Sequence, residues 1–119
     1  KSVAFGNGLF VAVGSAAADA ATTTYATSPD GVTWTSRTMP TSMAYKAVTF
    51  GNGLFVAVGT SASAGAITTI HTSADGIIWS PRVSTLSAAY RSVCYGNGIF
   101  VAVTAAAADA VTDDAVTSI

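Results

Sequence analysis

Short apolar runs punctuated by Gly, Asn and Asp recur at a fixed interval along the chain. The stretch Phe5 to Val13 reads Phe-Gly-Asn-Gly-Leu-Phe-Val-Ala-Val, returns unchanged at Phe50 to Val58, and returns lightly altered at Tyr95 to Val103. The interval of 45 residues divides the chain into units 1–45, 46–90 and a partial unit 91–119. In each unit two β-type runs flank Gly-Asn-Gly: Gly6-Asn7-Gly8, Gly51-Asn52-Gly53 and Gly96-Asn97-Gly98. Asn-Gly between two such runs is a strong hairpin signal, because both central residues of a type I′ turn need positive φ. Strand A is therefore expected over Ser2 to Phe5 and strand B over Leu9 to Val13. β-branched and aromatic residues predict strand C over Thr22 to Thr27, and strand D over Val32 to Arg37 follows a turn at Pro29-Asp30-Gly31. Ser15 to Ala21 is Ala-rich but short and uncapped, and its counterpart in the second unit differs in composition, so it reads as a loop. Pro40 and its Thr and Ser neighbours are expected to return the chain to the next unit.

Four short antiparallel strands in such a period are the size of one propeller blade. Neither Leu spacing nor a 3.6-residue apolar period is present, which sets aside leucine-rich and helical repeats. Strands A and B are apolar or small on both faces, so they are expected to be covered on both sides, as blades are by their neighbours. The expectation is an all-β chain of β-propeller blades, each a four-stranded antiparallel sheet, in an incomplete ring of about 2.6 blades. The third unit lacks its fourth strand and the chain opens in strand A without an initiator Met, so a piece of a longer or processed chain is expected. The missing blades would come from the remainder of such a chain or from other copies.

Composition narrows this further. Five Lys and Arg face six Asp, without the basic surplus of a nucleic-acid footprint. No apolar run approaches the roughly 20 residues of a membrane helix. The lone Cys94 aligns with Ala4 and Thr49 and is expected to be a small buried strand residue.

At the turn between strands C and D the same residues recur: Ser28, Asp30, Gly31 and Trp34, then Ser73, Asp75, Gly76 and Trp79. An Asp side chain accepts hydrogen bonds from its own turn, the Gly supplies an unusual φ, and the Trp covers the hairpin. This pattern resembles the Asp-box, or bacterial neuraminidase repeat, of sialidase-like β-propellers, in the variant found in phage tail and virion proteins and some bacterial surface proteins. The likeness differs from the usual pattern in the direct Asp-Gly step and in Ile78 replacing Thr. It implies a structural hairpin lock at these eight positions and no catalytic role.

Sialidase chemistry in that family needs a Tyr-Glu pair, an acid-base Asp and an arginine cluster, and this chain contains no Glu. Arg37 and Arg82 hold equivalent places in successive units and read as exposed strand-end charges. His71, aligned with Ala26 and Val116, has no second ligand at metal spacing and reads as a polar strand residue. Asp109, Asp113 and Asp114 lack the Gly and Glu of a calcium loop and read as a solvated edge. Gly6-Asn7-Gly8 lacks the Lys of a phosphate cradle. No catalytic, cofactor or metal residue is therefore expected. The function expected is a non-catalytic structural or adhesive propeller of a virion, tail appendage or cell surface. The alternatives are a carbohydrate-binding module using Tyr25, Tyr45, Tyr90 or His71, with a glycan as partner, and a non-catalytic fragment of a larger sialidase-like hydrolase.

Overall fold

The computed structural model of the chain describes residues 1–14, 20–61, 69–83, 89–104 and 113–116. Among them are ten strands: β1 (Ser2–Gly6), β2 (Leu9–Val13), β3 (Thr22–Ser28), β4 (Thr35–Gly51), β5 (Leu54–Thr60), β6 (Ile70–Ser73), β7 (Ser80–Arg82), β8 (Tyr90–Gly96), β9 (Ile99–Thr104) and β10 (Asp113–Val116). Every pairing is antiparallel between chain neighbours. β1 to β7 follow one another in a single ladder order and β8 to β10 form a second sheet. The protein is all-β. The greater part of the Ser15 to Ala21 loop, and Asp109, lie outside the described residues.

The turns explain the strand starts. Asn7 and Gly8 sit at φ 51° and 75°, Asn52 and Gly53 at 49° and 73°, and Asn97 and Gly98 at 50° and 77°. Each pair takes the left-handed conformation that lets a two-residue loop follow the twist of its strands. Ladders then start at once, with Gly6 opposite Leu9 and Phe5 opposite Phe10.

Two boundaries differ from the sequence expectation. The fourth strand starts at Thr35 and not at Val32, because the backbone N–H groups of Val32 and Thr33 are taken by the Asp30 side chain. Pro40 also fails to break the chain, and β4 runs for 17 residues through it. The first part of β4 pairs with β3, from Thr27 opposite Thr35 to Thr24 opposite Thr38 and, after a shift in register, Thr22 opposite Met43, and its second part pairs with β5 from Ala44 onwards. Pro40 falls in the irregular stretch of the β3–β4 ladder, between Thr38 and Met43, so its missing N–H removes no regular ladder bond.

The apolar core lies between units, as a repeat that cannot bury its own faces requires. Val11, Val13 and Tyr25 of the first unit meet Phe55, Ala57 and Trp79 of the second, with Met39, Met43 and Tyr45 from β4 in the same cluster. Val56, Val58 and Ile70 of the second unit likewise meet Val93, Phe100 and Ala102 of the third, with Tyr90 among them. Between units the first strands approach closely, β1 against β4 and β4 against β8. The Val48 N–H donates to Ser2 Oγ across the first of these contacts, at 3.2 Å.

Coverage on both faces, expected for every A strand, holds for the second unit and fails for the first. Val48 is 5% exposed, whereas its counterpart Val3 is 58% exposed and Phe5 is 55% exposed. Nothing among the described residues stacks on the outer face of β1. Cys94 corrects a second expectation: it is exposed on β8. Its counterpart Ala4 packs against the inter-unit core, while among the described residues no further unit packs on the outer face of β8.

Candidate functional site

The polar residues of the repeated turn form a closed local network. Ser28 Oγ donates to Asp30 Oδ1 at 3.0 Å and accepts the Gly31 N–H at 2.8 Å. Asp30 Oδ1 also accepts the N–H groups of Val32 and Thr33, at 2.8 and 2.9 Å. Gly31 stands at φ 78°, and its carbonyl accepts the Trp34 indole N–H at 3.2 Å. The second unit reproduces the arrangement: Ser73 Oγ donates to Asp75 at 3.0 Å, and the N–H groups of Ile77 and Ile78 donate to Asp75 Oδ1 at 2.8 and 2.9 Å. Trp79 donates to the Gly76 carbonyl at 3.2 Å.

These donors stabilise the ionised carboxylate, so both acids are held below the usual Asp range. The Thr33 and then the Val32 N–H do this at Asp30, and the Ile78 and then the Ile77 N–H at Asp75. A carboxylate whose oxygen is engaged by its own turn is a poor general acid at neutral pH.

The two locks differ in their surroundings. Tyr25 of the first unit donates its hydroxyl hydrogen between the carbonyls of Gly76 and Ile77, at 3.0 and 3.1 Å. Its ring meets the Trp79 indole edge-on, with centroids 5.8 Å apart. Trp79 is in consequence 6% exposed, while Trp34 is 42% exposed.

The residues named for glycan contact are inside the protein. Tyr45, Tyr90 and His71 are buried, the Tyr45 hydroxyl donates to the Thr41 carbonyl at 2.7 Å, and burial pushes the phenols of Tyr25 and Tyr45 above the ordinary range. His71 lies on β6 as a strand residue, and it is fully buried there. Both ring nitrogens are buried without a hydrogen-bond partner, the Tyr45 ring stands edge-on at 5.6 Å, and desolvation lowers the imidazole to about 4. Its alignment with Ala26 and Val116 was the available signal, since its column is otherwise apolar.

Arg37 and Arg82 do not converge. Their Nε groups donate to Thr27 and Thr72 of their own units, at 2.8 and 2.9 Å. Arg37 is half-buried and Arg82 exposed. Asp113 and Asp114 lie in β10, opposite Val103 and Ala102. Among the described residues no group of His, Cys, Asp and Glu is placed to hold a metal ion, and no helix is long and apolar enough to cross a membrane.

An open groove of about 480 Å³ lies on the first unit, lined by residues that include Ala12, Thr22, Thr24, Tyr25, Ala26 and Ser36. In the second unit the position of Ala26 is taken by His71, and Tyr45 packs on it. The groove is thus the first unit's counterpart of a place that a tyrosine fills between units.

The residue role missed from the sequence is that of the first glycine of each Gly-Asn-Gly. Gly6 and Gly51 do not take positive φ, so the turn does not require them. A Cβ at Gly6 would fall within the Phe50 ring, and one at Gly51 within the Tyr95 ring. These glycines are seats for an aromatic residue of the next unit. The signal was a Gly in front of Asn-Gly, where the turn needs none.

No family model matches the chain, and no curated protein matches it.

Proposed function

We propose that this chain is a non-catalytic structural or adhesive β-propeller module of the Asp-box kind, serving on a virion, tail appendage or other extracellular surface. The observation that carries the reading is how the polar groups are used. The Asp-box carboxylates hold their own hairpins, the two equivalent arginines bond within their own units, and the large aromatic side chains make the contacts between units. Radial arrangement of blades is supported by the close approach of β1, β4 and β8, which the outer strands β3 and β6 do not share. Inner strands of neighbouring blades meet around a propeller axis while the outer strands diverge.

The rival reading, a carbohydrate-binding module, has the groove beside Ala26 and Ser36 as its place. A glycan array, with a fluorogenic sialoside assay beside it, tests the choice. The structural reading expects no saturable glycan binding and no turnover. Saturable binding that is lost in Ala26→Trp, which fills the groove, replaces it with the carbohydrate-binding one, and turnover replaces it with a hydrolase.

A further inference from the structure

The contact between successive units is built twice from matching residues. Phe50 lies over Gly6, and Tyr95 lies over Gly51. Each of these aromatic rings pairs across its own hairpin, Phe50 with Phe55 at 4.6 Å and Tyr95 with Phe100 at 4.7 Å. Phe5 and Phe10 form the same pair at 4.6 Å. Gly6 and Gly51 are buried by the ring above them.

The two ends of the stack carry the unmatched halves of this contact. At one end Phe5 is 55% and Val3 58% exposed, whereas Val48 and Val93, which hold the equivalent place, are buried. At the other end Gly96 has open space where a Cβ would stand. Ile99 beside it is exposed, where Leu9 and Leu54 are only partly so. Among the described residues there is therefore an aromatic without a seat and a seat without an aromatic, each copied from a contact the chain already makes internally.

We propose that these ends join: Phe5 of one copy of the chain occupies the place over Gly96 of a second copy, extending the stack head to tail. Such a contact is heterologous, using different patches on the two partners, so it forms rings where the rotation closes and open arrays where it does not. The occupant is a second copy because the required shape, an aromatic just before Gly-Asn-Gly with a β-branched residue two places earlier, is the chain's own β1. The inference rests on the structural reading of the units and is tested by association, whereas that reading is tested by glycan binding, so either can fail alone.

Two single variants make the test. Gly96→Val fills the seat without touching any described atom of its own chain and without strained backbone. Phe5→Asp removes the inserting ring at an exposed position. In sedimentation velocity over a range of concentrations, with circular dichroism to show that each variant is folded, the wild-type chain is expected to associate. Each variant alone is expected to lose at least tenfold in association constant. An equimolar mixture is expected to recover a species of two chains and nothing larger, because Phe5 of the Gly96→Val chain meets the intact Gly96 of the Phe5→Asp chain. A wild-type chain that stays monomeric at high concentration overturns the proposal. So does association that survives Gly96→Val, or a mixture of folded variants that stays monomeric. Should Phe5→Asp fail to fold, Phe5→Ser takes its place, and Gly96→Val alone still decides whether the seat is used.

Discussion

His71 makes the fold sensitive to mild acid, and the size of the effect follows from its surroundings. The imidazole is buried with both nitrogens unpartnered, and desolvation takes it from its ordinary 6.5 to about 4. Between those values the unfolded chain binds a proton that the folded chain refuses, so folding stability falls as pH falls. Each pH unit in the window removes about 1.4 kcal/mol, and about 3 kcal/mol is gone by the folded value of about 4. That is a large share of the 5 to 15 kcal/mol typical of a domain of about this size. The Asp30 and Asp75 carboxylates do not blur the window, because their lowered values place their loss of stability below the ordinary Asp value of 3.8. His71→Leu keeps a side chain of similar volume and removes the titrating group. Urea unfolding followed by tryptophan fluorescence from about pH 7 down to about pH 4 should give a falling midpoint for wild type and a flat one for His71→Leu, with the variant no less stable at neutral pH. A wild-type midpoint that holds steady through the window refutes the argument, and would mean that the ring finds a hydrogen-bond partner when charged.

The two copies of each element give matched comparisons within one chain. Ser73→Ala should cost about 1 to 3 kcal/mol in denaturant melts, because it strands the buried Gly76 N–H, while Ser28→Ala should cost less, since Gly31 is exposed and its N–H regains water. Gly51→Ala, which drives a methyl into the Tyr95 ring, should cost about 1 to 3 kcal/mol or more, and Gly96→Ala should stay within about 0.5 kcal/mol. Trp79→Ala should lower stability by about 3 to 5 kcal/mol as a buried aromatic does, and Trp34→Ala by clearly less, both read as shifts in Tm. Hydrogen exchange should be slowest in β5, where Phe55 to Val58 are fully buried, and faster in β1, whose outer face is open.

What could be read from the sequence is what is decided within a few residues. Asn7-Gly8 sets its own turn by backbone conformation, and Ser28, Asp30, Gly31 and Trp34 close their hydrogen bonds within one stretch, so the hairpins and locks were visible in residue order. The start of strand D was misplaced for a related reason: β-branched Val32 and Thr33 suit a strand, but the Asp30 side chain holds their N–H groups first. A Pro usually ends a strand, and Pro40 is tolerated because it falls where the pairing of β3 with β4 shifts register, which residue order alone does not show. The burial of His71 and the exposure of Cys94 were out of reach on local grounds, because both depend on what stacks against the sheet.

That dependence has a consequence for the molecule as a whole. Phe55 and Trp79 are buried while Phe10 and Trp34, chemically the same residues one period earlier, are partly open, so exposure here is set by position in the stack and not by residue type. A repeat array normally stops at a unit whose outer face has become polar. Among the described residues neither outer face has made that change: Val3 and Phe5 are apolar on one, and Gly96 and Ile99 keep the geometry of an interior junction on the other. Lys1 and Arg91 do not alter this, since Lys46 holds the equivalent place at an interior junction. Units that are apolar on both faces have two ways of leaving no open face, which are closure into a ring and continuation into a further unit of the same kind. The contact that Phe50 and Tyr95 each make inside the chain already contains the geometry for both.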